Sequence, residues 1–197
     1  MYRSNQAQTS PGVAGNARLT GGVAAALLVL LAAEGATIPF IGQLLGPHVF
    51  IGMLLIPPVL LKLGSTGYRF ARYYTNEPRY RAAGPPELGL RLLAPVLVFL
   101  TLVVFASGLE LWLFGYRFGF AWLPIHHASG LLWLVVAVIH AASHLRRTWQ
   151  LALEDWRDHL RGATTRRGLA LGSLLLGAVI AAALVPYPSP LGGLGGG

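Results

Sequence analysis

Five apolar stretches, each long enough to cross a lipid bilayer, constrain the fold of this chain more than any other feature. They cover residues 19–45, 49–68, 90–114, 121–145 and 168–185. A helix of about 20 apolar residues, rising ~1.5 Å per residue, spans the ~30 Å hydrocarbon core of a bilayer. The sequence therefore predicts an all-α fold, a polytopic transmembrane bundle of about five helices whose surroundings are lipid.

The overall composition agrees with a membrane protein. Of 197 residues, 54% are hydrophobic and only 11% are charged, which lies outside the usual range for a soluble domain. A polar segment of eighteen residues precedes the first apolar stretch, which is itself long enough to span, so we expect a retained first helix rather than a cleaved signal peptide.

The absence of cysteine excludes several kinds of chemistry. Iron–sulfur clusters, thiolate zinc sites, disulfides and cysteine nucleophiles all need a thiol, so histidine must carry any metal. No Gly-rich phosphate loop follows a strand pattern, and no Ser, His and Asp arrangement indicates hydrolysis. Whether the chain is an enzyme stays open.

The fifteen basic residues predict the orientation of the bundle. With five spans drawn in alternating directions, fourteen of them fall on one side, and only Arg117 falls on the other. By the positive-inside rule the crowded side is cytoplasmic. We therefore expect a multi-pass protein of the inner cell membrane with its N-terminus inside and its Gly-rich C-terminus outside. The net charge of +8 is explained by topology, and we expect no nucleic-acid partner.

The chain divides into a cytoplasmic tail (1–18), a four-helix core (19–145), a cytoplasmic segment (146–167), a fifth span (168–185) and a Gly-rich tail (186–197). The cytoplasmic segment has apolar residues at spacings of four and three, which predicts a short amphipathic helix lying on the inner leaflet. These residues are Trp149, Leu153, Trp156 and Leu160. His159 lies on the polar side and is expected to be solvated.

Histidines occur at both ends of the predicted core. His48 begins the second helix at the outer side, and His126 and His127 begin the fourth helix at the same side. His140 lies fourteen positions after His126, about 40° away around the helix and ~21 Å along its axis. His144 shares their face, whereas His127 points elsewhere, so we favour His126 over His127 as the partner of His48.

Two histidines from different helices at one depth suit a low-spin haem, whose iron accepts an imidazole on each face of the ring. His48 and His126 meet this condition. His140 and His144 project to the same side of one helix, so they cannot be the two axial ligands of a single iron.

The sequence resembles the four-helix membrane cytochromes b, a superfamily that includes cytochrome b561-like proteins and the b-type subunits of hydrogenases and formate dehydrogenases. The resemblance covers about residues 20–145 and rests on His48, on His126 with its fourteen-residue relation to His140, and on Gly52 and Gly130. The stretch "PPVLLKLGSTGYRFARYY", with "GPP" after it, is also similar to a group of short actinobacterial membrane proteins. The resemblance implies a haem b electron carrier that works with a quinone or with a redox partner subunit. It also favours an electron-transfer subunit of an oxidoreductase over an enzyme that acts by itself.

Two-haem members of that superfamily need a second ligand pair near the inner face. Here the second helix has Leu61 and Lys62 at the corresponding positions, and the first, third and fifth helices contain no histidine. An inner haem would need His140 or His144 together with Lys62 or a ligand from another subunit. We therefore expect one haem per chain, with two as the alternative.

Other assignments of the polar residues stay open. Each histidine can instead bond a neighbouring carbonyl or hydroxyl within the bundle. Glu34 and Glu110 lie near the outer side of the bundle. Each could contact a proton or a quinone near the haem, or could be a carboxylate at the membrane interface. Arg117 could neutralise Glu110. The alternative function is a non-redox scaffold or small transporter that binds protons or a divalent metal, such as zinc at His140 and His144. The sequence does not fix the oligomeric state.

Overall fold

The computed structural model describes residues 11–84, 88–117, 121–157, 161–187 and 189–191, and these residues form helices and turns without any strand. Five helices are long, and one is a single short turn in the connection between the second and third long helices. In chain order they are α1 (Pro11–Thr37), α2 (Ile41–Tyr74), α3 (Pro78–Ala82), α4 (Leu88–Phe114), α5 (Trp122–Arg157) and α6 (Ala163–Leu184). The predicted all-α class is confirmed.

Four helical stretches of the described chain are long and apolar enough to cross a membrane. They are Pro11–Tyr74, Arg91–Phe114, Trp122–Asp155 and Ala163–Leu184. The first stretch contains both α1 and α2, which pack against each other as a helical hairpin. The chain is therefore a membrane protein with five long helices, as the apolar stretches predict.

Four of the long helices form a ring. Helix α1 packs against α2 and α5, while α4 packs against α5 and more lightly against α2. Helices α2 and α5 consequently stand diagonally opposite each other across the ring. Helix α6 lies outside the ring and packs mainly on α2.

The first reversal of the chain lies earlier than the sequence suggests. The sequence favours a turn at "GPH" (46–48), but α1 already ends at Thr37, and a short 3-10 turn over Ile38–Phe40 follows. Phe40 and Leu44 have non-helical backbone angles, so the regular part of α2 starts after Leu44. Pro47 then lies in the first regular turn, where its missing N–H removes no helical hydrogen bond.

Helix α5 is longer than the predicted span because the segment after residue 145 continues the same helix to Arg157. No proline or glycine interrupts the chain between Leu131 and Arg157, so nothing stops the helix at the end of its apolar part. The expected helix of segment 146–167 therefore forms without a separating loop. The side chain of Trp156 and residues 158–160 lie outside the described part, and the placement of this segment on the inner leaflet stays a prediction.

Glycines allow two of the closest helix contacts. A Cβ at position 21 of α1 would come within 2.8 Å of the Leu151 Cβ on α5. A Cβ at position 177 of α6 would overlap the carbonyl oxygen of Leu54 on α2 and lie 3.0 Å from its carbonyl carbon. Small residues at helix interfaces are expected in lipid, because packing rather than the hydrophobic effect holds such helices together.

Polar bonds join the helices at both ends of the bundle. At the end that holds the N-terminus of α1, Asn16 donates to the Ser65 carbonyl at 3.1 Å. At the opposite end, the Trp112 indole donates to the Leu184 carbonyl at 2.9 Å. The first contact shows that α1 and α2 run antiparallel, and the second shows that α4 and α6 run in the same direction. The assignment of either end to the cytoplasm stays a prediction.

Candidate functional site

His48 is held by two polar groups from the end of α1. Its Nδ1 lies 2.8 Å from the Thr37 hydroxyl and 3.1 Å from Glu34 Oε1. The Thr37 hydroxyl donates its own proton to the Glu34 carbonyl at 2.6 Å. Because the hydroxyl proton of Thr37 is already donated to this carbonyl, the Thr37 oxygen accepts a hydrogen bond from His48. Nδ1 is therefore the protonated nitrogen of the His48 ring.

His126 is held in the same way from α4. Its Nδ1 lies 3.2 Å from the Val104 carbonyl and 3.1 Å from the Ser107 hydroxyl, which itself donates to the Val103 carbonyl at 2.7 Å. A carbonyl oxygen only accepts, so His126 also carries its proton on Nδ1. The neutral form of each imidazole thus has its lone pair on Nε2.

The two imidazoles lie close together in a T-shaped arrangement, on helices that stand diagonally opposite each other. Their ring centroids are 6.3 Å apart and their planes meet at 87°. Metal bonds of about 2.0–2.1 Å to an Nε2 on each side of one ion would separate the centroids by about 6.4 Å. Neither Nε2 has a hydrogen-bond partner among the described residues. The spacing and the protonation pattern therefore fit a metal centre held by both rings.

Three glycines lie beside this pair. A Cβ at Gly108 would lie 3.0 Å from His126 Cε1, so an added methyl group would push the ring away by a few tenths of an ångström. A Cβ at Gly130, one helical turn after His126, would have nothing within 4 Å. A Cβ at Gly52, one turn after His48, would lie 3.5 Å from Glu34 Oε1. Gly52 and Gly130 were expected at this site from the sequence, whereas Gly108 was not.

Of the two adjacent histidines that begin α5, the structure places His126 against His48. The His127 side chain is exposed. This arrangement agrees with the choice made from the helical face, since adjacent residues on a helix point about 100° apart.

His140 and His144 lie together near the other end of α5. Their ring centroids are 5.2 Å apart, and Lys62 of α2 is close enough to interact electrostatically with His140. His140 Nδ1 is buried and has no hydrogen-bond partner among the described residues. No group of three or more histidine and carboxylate side chains suited to a metal ion occurs within the described ranges. The structure thus places Lys62 near His140, and among the described residues no second helix at this end of the bundle carries a histidine.

Two carboxylates, Glu34 and Glu110, lie in the same half of the bundle as His48 and His126. Glu34 contacts His48 through Oε1, while its Oε2 is buried without a partner among the described residues. Both carboxylate oxygens of Glu110 are also buried, and they too have no partner in that part of the chain. An ion pair between Glu110 and Arg117 is not formed in the structure.

The groups that orient the two histidines could not be identified from the sequence. Thr37, Ser107 and Gly108 are small residues within apolar helices, and such residues are common wherever helices pack. A signal exists in retrospect, since Thr37 ends α1 opposite the start of α2, and "SG" at residues 107–108 lies at the depth of His126. Without the pairing of α4 with α5, however, nothing in the sequence connects Ser107 with His126.

Comparisons with known proteins give no match: no protein-family model, no curated protein and no solved structure is similar to this chain.

Proposed function

We propose that the chain is a membrane-embedded, b-type cytochrome-like electron carrier in which His48 and His126 are the axial ligands of one haem b. One observation carries the proposal: two imidazoles from diagonally opposite helices lie 6.3 Å apart, each anchored through Nδ1. Metal-bound histidines almost always donate the other ring N–H to a carboxylate, a carbonyl or water, which fixes the tautomer and the ring orientation.

In this proposal, each part of the site has a defined task. Haem supplies reversible one-electron chemistry, and the protein sets its potential through the axial ligands and their hydrogen bonds. Thr37 and Glu34 orient His48, while the Val104 carbonyl and Ser107 orient His126. Because α1 and α4 carry these anchoring groups, all four helices of the ring contribute to the site.

The same arrangement suggests where electrons enter and leave. The site lies at the end of the bundle opposite Arg18, the predicted outer side of the inner cell membrane. A quinone or a redox partner subunit would exchange electrons with the haem. The unpartnered Oε2 of Glu34, close to His48, could hydrogen-bond a quinone hydroxyl or take up a proton.

The direct test is the visible spectrum of the purified protein and of three variants. We expect sharp reduced bands from the native protein and their loss in His48→Ala and in His126→Ala. His127→Ala is the matched control, because this neighbouring histidine is exposed and should leave the spectrum unchanged. A colourless native protein, or a full spectrum in both ligand variants, would refute the proposal.

The number of haems tests the inner histidines. Haem extraction against quantified protein should give one haem per chain, because His140 and His144 share one helix and the α2 residue near His140 is Lys62 rather than a histidine. A ratio of two that falls to one in His140→Ala or His144→Ala would instead establish a second, inner haem.

A second candidate function rests on the inner histidine pair. His140 Nδ1 is buried without a partner among the described residues and lies beside His144, so these two rings could take up a proton or a divalent metal if Lys62 is neutral. Under this alternative the chain is a colourless scaffold or small transporter. Zinc bound by the native protein and lost in His140→Ala, with no haem spectrum, would favour it.

A further inference from the structure

A cavity of about 300 Å³ lies between α1, α5 and α6, at the end of the bundle opposite His48 and His126. Its walls come from three sources: the middle of α1 (residues 18–29), the extension of α5 beyond its apolar part, and the first half of α6. Trp149 lines the cavity from α5 and is 43% exposed, as expected for an indole at the membrane interface.

The polar part of the lining carries an excess of positive charge. Three guanidinium groups, those of Arg18, Arg166 and Arg167, line the cavity with a single carboxylate, Asp155. Arg166 donates to the buried Asp155 carboxylate, and Arg167 donates to the Asp155 carbonyl. The lining thus has two more positive charges than negative ones, which favours an anionic ligand.

Arg18 is the arginine of the lining that is available to bind such a ligand, since Arg166 and Arg167 both bond to Asp155. Its Nε atom is buried and has no hydrogen-bond partner among the described residues. A buried guanidinium N–H without a partner is costly, and a phosphate oxygen is a geometrically suitable acceptor for it.

The rest of the lining is apolar and forms a trough along α1. Gly22, Ala26 and Val29 recur on one face of α1, and Leu171 and Leu174 of α6 lie across from them. A Cβ at Gly22 would have nothing within 4 Å, whereas the neighbouring Gly21 is packed tightly on Leu151. The first glycine of the pair therefore joins the helices, and the second leaves room for a ligand.

We propose that this cavity binds an anionic phospholipid, with the phosphate at Arg18 and the adjoining part of an acyl chain in the trough along Gly22 and Ala26. Basic pockets between membrane helices on the cytoplasmic side recognise anionic head groups in this way. A free phosphate would make no contact with the apolar trough, and a neutral quinone would not neutralise the excess positive charge. The site is separate from the proposed haem site, and its test needs no haem.

The test compares lipid retention by the full-length protein in mixed vesicles of phosphatidylcholine with a minor fraction of phosphatidylglycerol. After extraction in neutral detergent, native mass spectrometry counts the lipids that remain bound. We expect phosphatidylglycerol to be enriched on the native protein. Arg18→Gln should lower this enrichment about fivefold, as expected for one basic residue at a membrane surface. Gly22→Leu should lower it as well by filling the trough.

Arg146→Gln is the matched control, because Arg146 lies on the same extension of α5 with its side chain exposed and outside the cavity lining. The proposal is overturned if this control loses as much phosphatidylglycerol as Arg18→Gln, or if Gly22→Leu retains the native amount. It is also overturned if excess inorganic phosphate displaces the lipid, which would indicate a simple anion site, or if phosphatidylcholine is retained equally well. A melting temperature for each variant shows that lipid loss does not follow from unfolding.

Discussion

Gly108 of α4 lies directly against the imidazole of His126, and a Cβ at this position would come within 3.0 Å of the ring carbon Cε1. The same ring is bonded through Nδ1 to the Val104 carbonyl and to Ser107 on the same helix. One turn of α4 therefore determines both the tautomer of His126 and the space in which its ring can lie.

Gly108→Ala should displace the His126 ring and weaken haem binding. Disturbing the groups that orient a metal ligand typically lowers metal affinity at least about tenfold, and we expect a loss of this size from haem titration of the apoprotein. Gly89→Ala on the same helix is the control, because a Cβ there meets nothing within 4 Å. Equal haem affinity in the two variants would show that His126 does not bind the iron.

Glu34→Gln should raise the midpoint potential of the haem. The carboxylate next to His48 Nδ1 makes the imidazole a stronger electron donor and favours the oxidised iron, so its neutralisation favours the reduced form. A spectroelectrochemical titration measures the shift. Glu77→Gln is the control, since Glu77 pairs with Arg72 in the connection after α2. A lowered potential in Glu34→Gln would contradict the contact between Glu34 and His48.

Gly177→Ala should destabilise the packing of α6 on α2. The added methyl group overlaps the Leu54 carbonyl oxygen, so the helices must move apart, at a cost of about 1–3 kcal/mol. Thermal unfolding in detergent should show a lower melting temperature. Gly172→Ala on the same helix has open space at its Cβ and should leave stability unchanged or slightly raised. If both variants melt alike, the close approach at Gly177 is wrong.

The distribution of basic residues predicts the orientation of the chain. A reporter fused after Gly197 should be active outside the cytoplasm, and the same reporter inserted after Gly84 should be active inside. Residue 197 lies outside the described part of the chain, so the fusion reports only the side on which the last helix ends. Cytoplasmic activity of the C-terminal fusion would overturn the orientation.

The long helices were predictable because each buries its backbone polar groups within itself and needs only apolar length to be recognised. The first turn was not predictable to the same accuracy. Pro39 can break a helix, and so can the pair Gly46 and Pro47. The sequence alone does not show at which of these two places the chain reverses. The contact of Thr37 with His48 requires the chain to reverse between these two residues, which explains the turn that begins after Thr37.

The pairing of His48 with His126 followed from depth and helical face, but the anchoring groups did not. Ser107 and Val104 contact His126 only because α4 packs on α5, which is a tertiary relation without a local signature. The continuation of α5 through Arg157 was missed because a change from apolar to charged residues was interpreted as a break. Helices end at capping residues or helix breakers rather than at changes of polarity.

Pro58 gives α6 a role that its position outside the ring does not suggest. A proline cannot donate a backbone hydrogen bond, so the carbonyl of Leu54, four residues earlier, has no donor within its own helix. Gly177 brings the backbone of α6 directly against this carbonyl. An exposed carbonyl in hydrocarbon costs several kcal/mol. Helix α6 thus shields the polar defect in α2 from lipid, and a chain truncated before Ala163 would leave that carbonyl facing the acyl chains.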